Sequence, residues 1–79
     1  MIVINVETLY DRNAKLSELD EYIKKAKELA GEGEEVVITG AGPIWLYLKI
    51  AHALHGKAKK LFYRSPVTGD MEIFNHSVN

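Results

Sequence analysis

The chain contains no cysteine, which excludes a disulfide framework and any zinc site built on thiolates. Only two prolines occur among its 79 residues, and no proline-rich or otherwise low-complexity stretch divides it. An excess of positive charge is missing too. The formal net charge is −1, far from the cation density needed to displace counterions along a duplex, so no duplex DNA partner is expected. Long apolar runs are absent: the longest, from Val36 to Leu54, is interrupted by Gly40, Gly42, Pro43, Lys49 and His52. The opening MIVINVETLY has neither the basic region nor the cleavage site of a secretory signal. No signal peptide and no membrane span are expected, and the cytoplasm is the expected compartment.

What remains is the composition of an ordinary globular protein, 47% hydrophobic and 27% charged, which predicts one domain over residues 1–79. A chain this short hides only about 60–65% of its unfolded surface on folding. Its thin core must be stabilised by packing and self-association, so a homodimer is expected. Charge is unevenly spread. Residues 1–35 hold five Lys/Arg against nine Asp/Glu, a balance of −4, and residues 36–79 hold five against two, a balance of +3. The second half is the side suited to an anion.

Met1–Val6 alternates Ile2, Ile4 and Val6 in the manner of a strand. Ser17 with Asp20 resembles a capping box, followed by Leu19, Tyr22, Ile23, Ala26, Leu29 and Ala30 at helical spacing up to a stop at Gly31. Glu35–Thr39 reads as a central strand covered on both faces and parallel to the first. Pro43 suits a helix start, and Ile44–Leu54 predicts a second helix ending near Gly56. Its apolar residues fall on nearly every face, as for a helix that also meets a second subunit. Leu61–Arg64 and Met71–His76 predict an antiparallel hairpin around Pro66–Gly69. The order β-α-β-α-β-β gives a small open α/β sheet, Rossmann-like in its first three strands, with a ferredoxin-like α+β sheet as the alternative.

The chemistry-bearing residues cluster in the second half. Thr39-Gly40-Ala41-Gly42-Pro43 joins a strand to a helix, where backbone amides can approach a phosphate, although such turns need glycine for geometry alone. His52 and His55 share a helix face and His76 lies on the last strand; they are candidate metal ligands or proton carriers, or else interface and solvated residues. Lys57, Lys59, Lys60 and Arg64 either steer a polyanion or protect a strand edge. Trp45 and Tyr47 are either stacking platforms for a base or parts of the core or an interface.

The string VVITGAGPIWLYLKIAHAL from Val36 to Leu54, with Ser65-Pro66-Val67-Thr68-Gly69 and His76 downstream, resembles the small CRISPR-associated ring nucleases of type III systems, the Csx-three family, with a CARF-like core. The resemblance covers roughly the second half of the chain, and GPIWLY at 42–47 is its most specific part. It implies a homodimer that binds cyclic tetra-adenylate, or short RNA, and linearises the ring in a phosphodiesterase step dependent on Mn²⁺. Gly40, Gly42 and Pro43 match the family's ligand-binding turn, with Thr39, Ala41 and Arg64 beside it. His52 matches its helix histidine and His76 its final-strand histidine, and His55 is a further candidate metal ligand. Ala41 stands where an arginine is usual, and Ser65 where the family places its catalytic aspartate, leaving Ser65 or Asp70 to complete the catalytic set with His52 and His76. A carboxylate is an ordinary requirement of metal-assisted attack on phosphorus. A binding module without catalysis is therefore one alternative, and a structural dimer with no nucleotide ligand is another.

Overall fold

A computed structural model describes residues 1–76. The elements are β1 (Ile2–Asn5), α1 (Leu19–Ala30), β2 (Glu35–Thr39), α2 (Ile44–Leu54), β3 (Lys60–Ser65) and β4 (Gly69–Asn75), with single 3-10 turns at Val6–Thr8 and Leu16–Glu18. β1 stops one residue earlier than the alternation predicts. The Asn5 side-chain oxygen accepts the Glu7 N–H at 2.9 Å and starts the first 3-10 turn, the local turn chemistry that asparagine favours over continuing a strand.

The expected capping box at Ser17 does not form. Ser17 lies inside the second 3-10 turn, and Glu18 takes the N-cap position with no side-chain hydrogen bond. The entry to α1 is organised from further away: Lys15 donates its N–H to the Tyr22 hydroxyl at 3.0 Å and accepts the Glu18 N–H at 2.9 Å. At the other end Gly31, at φ 67°, donates to the Lys27 carbonyl and closes the helix as predicted.

The four strands lie in the order β1-β2-β3-β4. The first three are parallel, with Ile4 opposite Ile38 and Val36 opposite Leu61, and β4 returns antiparallel to β3. Because the strand order never reverses, both crossovers return over the same side of the sheet. Ile4, Val36, Ile38 and Leu61 thus meet Tyr22, Ala26 and Ala30 of α1 and Leu46, Ile50 and Leu54 of α2 in a single core. The two helices share one face, in contrast to the two-sided cover expected for β2. Val37 is nonetheless fully buried on the opposite face, with Val3 and Phe62 as its register neighbours.

The register of the hairpin shifts between Leu61 and Phe62, so that Leu61 pairs with Phe74 and Phe62 with Glu72, leaving Ile73 as the extra residue. On α2 the buried residues form a stripe four apart, whereas Ile44 and Leu48 are 78% and 66% exposed. Among the described residues no helix is long and apolar enough to cross a membrane.

Candidate functional site

The shared direction of the parallel strands brings the carboxyl ends of β1, β2 and β3 to one edge, the usual location of ligands in open α/β sheets. Thr39–Pro43 sits there. Gly40 adopts φ +101°, and a Cβ on it would stand 2.1 Å from Asn5 Oδ1 and 2.9 Å from Asn5 Cγ. A Cβ on Gly42 would stand 2.9 Å from Val6 Cγ2. Both glycines are therefore required by the exit of β1, whatever binds outside.

Side chains hold the two peptides that flank Ala41. Tyr47 of α2 donates its hydroxyl to the Gly40 carbonyl. Tyr10 donates to the Ala41 carbonyl at 2.7 Å, and the Ala41 N–H donates to Glu7 Oε2 at 3.0 Å. Thr39 Oγ1 donates to the Arg64 carbonyl at 3.2 Å, tying β2 to the end of β3. Pro43 caps α2, its carbonyl accepting the Leu46 N–H at 3.1 Å. Burial, reinforced by Tyr63, Glu7 and Tyr10, pushes the Tyr47 hydroxyl up to about 12, so it remains a neutral donor at ordinary pH.

Beside the turn a groove of about 910 Å³ runs between α2 and the hairpin, lined by Tyr47, Leu48, Tyr63, Arg64 and Ile73. Its size falls within the range of small-molecule sites. Tyr47 and Tyr63 meet edge-to-face, ring centres 5.3 Å apart and planes at 84°. Arg64 is engaged by Asp70, Nε to Oδ1 at 2.7 Å and Nη2 to Oδ2 at 3.2 Å. The guanidinium hydrogen bond holds the Asp70 carboxyl below its usual range, and the same contact raises Arg64 further. Ser65 Oγ accepts the N–H groups of Val67 at 3.1 Å and Thr68 at 3.3 Å, shaping the hairpin turn.

The histidines gather at the opposite end of α2. His55 and His76 face each other Nε2 to Nε2 at 2.9 Å, with Phe74 packed against both rings. The His76 N–H donates to the Lys59 carbonyl at 2.7 Å, fixing the end of β4 against the start of β3. The pair is thus His55 with His76. His52, one turn earlier, is exposed. Eleven helical residues separate this cluster from the glycine turn, a span of about 16 Å. Within one chain, Ser65, Asp70 and Arg64 stand at the turn end of the sheet and His55 and His76 at the other.

The basic cluster is partly neutralised, since Lys57 pairs with Glu32 at 2.6 Å and Arg64 with Asp70. Among the described residues no group of three or more His, Cys, Asp or Glu could hold a metal ion. Two imidazole nitrogens do not make the oxygen-rich shell that Mn²⁺ prefers, so the described residues of one chain do not fit that ion.

Asn5, Glu7 and Tyr10 were not legible as site residues in the sequence, although one signal pointed to them. They lie at or just after the end of β1, a strand whose carboxyl end lies beside that of β2 in the parallel pairing.

A family profile described as CRISPR-associated protein (Cas_csx3) matches residues 8–78. Among curated proteins and solved structures nothing matches the chain. A match over almost the whole chain, well beyond the GPIWLY segment, makes it a member of the CRISPR-associated Cas_csx3 family.

Proposed function

We propose that this protein binds cyclic tetra-adenylate as a homodimer, with a phosphate at the Gly40–Pro43 turn and an adenine in the adjoining groove. The observation that carries this reading is the direct opening of an amide-bearing turn onto an apolar groove flanked by Tyr47 and Tyr63. A nucleotide has the same two parts in the same order, a compact anion and a flat ring with apolar faces. A cyclic tetranucleotide has rotational symmetry, so two copies related by a two-fold axis can present identical turns to phosphates on opposite sides. Exposed Ile44 and Leu48 at the rim of α2 supply apolar surface for such a pairing.

Cleavage of the ring is a second reading, favoured by the His55–His76 contact. With one Nε2 donating and the other accepting, the pair has the parts of a proton-transfer couple for phosphodiester hydrolysis. The distance along α2 sets a condition on it: a ring seated at one subunit's turn must be reached by histidines brought in by another copy.

Thermal denaturation with cyclic tetra-adenylate, linear tetra-adenylate and no ligand tests binding. At a ligand concentration 100 times the dissociation constant, the ring should stabilise the fold by about 2.7 kcal/mol, with a smaller effect from the linear RNA. No shift at millimolar ring overturns the binding reading. Labelled ring left unchanged after hours with excess protein, with and without Mn²⁺, removes cleavage and leaves binding standing.

A further inference from the structure

The proposed phosphate subsite already holds an anion supplied by the chain itself. Glu7 sits within the 3-10 turn that Asn5 starts, and its Oε2 accepts the Ala41 N–H at 3.0 Å. The same oxygen lies 3.3 Å from the position a Cβ would take on Gly40, directly against the turn. Its own N–H is fixed by Asn5 Oδ1 at 2.9 Å, so the backbone carrying the carboxylate is oriented toward Ala41. Tyr10 holds the other side of that residue by donating to its carbonyl at 2.7 Å.

A carboxylate and a phosphate oxygen compete for the same partner, because both are charged acceptors without a proton to give. Arg64, which lines the adjoining groove, is already engaged by Asp70 in two hydrogen bonds. A phosphate arriving at Ala41 therefore meets both an occupied amide and a like charge. Glu7 is exposed, so displacing it requires only rotation of a surface side chain and no opening of the core.

We infer that Glu7 is a built-in competitor at the glycine turn, a carboxylate that occupies the Ala41 amide in the free protein and is displaced when an anionic ligand binds. The inference rests on the reading of the turn as a phosphate subsite. Its consequence is a raised threshold: the turn discriminates against weakly charged or singly contacting anions, and a ligand with several phosphates overcomes the competition through its other contacts.

Glu7→Gln isolates the charge, because the side-chain amide keeps an oxygen that can accept the Ala41 N–H. Glu28→Gln, on the exposed surface of α1, makes the same change in net charge elsewhere. Binding of cyclic tetra-adenylate and of inorganic pyrophosphate is measured by titration calorimetry for the wild type and both variants, alongside their ligand-free melting temperatures. The expected result is affinity about five- to tenfold tighter for Glu7→Gln, the effect of removing one like charge in a solvent-screened site. Glu28→Gln should match the wild type. In the wild type the Ala41 amide resonance should shift on ligand addition, as Glu7 gives way to the ligand.

Wild type and Glu7→Gln binding both probes equally would overturn the competitor and leave the nucleotide reading intact. Tighter pyrophosphate binding by Glu7→Gln with no binding of the ring would support the competitor and remove the nucleotide reading. Weaker binding by Glu7→Gln with a lowered ligand-free melting temperature would make Glu7 a brace for the turn and overturn the inference. No binding of either probe to either folded protein would overturn both.

Discussion

The two ends of α2 are held in place by different means. At its start, backbone dominates: Gly40 at positive φ, a carbonyl gripped by Tyr47 and a peptide at Ala41 held on both sides by Tyr10 and Glu7. At its finish, rings dominate: His55, Phe74 and His76 pack together with centroids 4.5 to 5.1 Å apart. The first end has almost no tolerance for added atoms, because a Cβ would enter occupied space. The second depends on side-chain contacts at the surface, which are individually weak and replaceable. The anion binding proposed above would draw on the rigid end, since amides that are already fixed lose little freedom when a ligand binds.

The sharpest way to break this contrast is Gly40→Ala. A methyl group at φ +101° within 2.1 Å of Asn5 Oδ1 should cost about 2–3 kcal/mol in denaturant unfolding and weaken ligand binding together with stability. A loss below about 0.5 kcal/mol would show that the turn yields and that its rigidity is overstated.

His76→Ala should cost less, about 1 kcal/mol, the scale of an exposed aromatic contact and one hydrogen bond. It should leave binding at the turn unchanged, and combined with Glu7→Gln its effect should add, because the two sites share no partner. A non-additive double mutant would join the two ends into one unit and favour the hydrolytic reading.

The smallest effect is expected at alkaline pH. The Tyr47 hydroxyl titrates near 10 when unfolded and at about 12 in the fold. The unfolded chain therefore loses this proton first, and the stabilisation it confers is complete below pH 10 and is lost as pH rises toward 12. Tyr47→Phe should abolish that portion of the slope while leaving the remaining tyrosines to titrate. An unchanged slope would mean that Tyr47 is not the group held protonated by the turn.

Much of the architecture was legible in residue order. Glu35–Thr39 and Ile44–Leu54 match the predicted strand and helix, because a short β-branched run and a Pro-to-Gly bracket are signals contained within a few residues. The parallel pairing of β1 and β2 followed from the intervening helix. Ser17 misled for the complementary reason: a capping box is a local pattern, and here Lys15 and Tyr22, seven residues apart, decided how the chain enters α1. The histidines were read by spacing, which placed His52 and His55 on one face but carried no information about which of them the end of β4 would meet.

Sequence by itself determined the main strands and helices, the glycine turn and the GPIWLY segment, since each depends on backbone preference or on neighbours within one helical turn. Only the tertiary structure decided that Glu7 and Tyr10 would take hold of Ala41, more than 30 residues away, and that His55 would pair with His76 across 21. Those contacts arise from parallel strand register and helix length. The first sets loops from distant parts of the chain side by side, and the second separates the glycine turn from the histidines by the full length of α2.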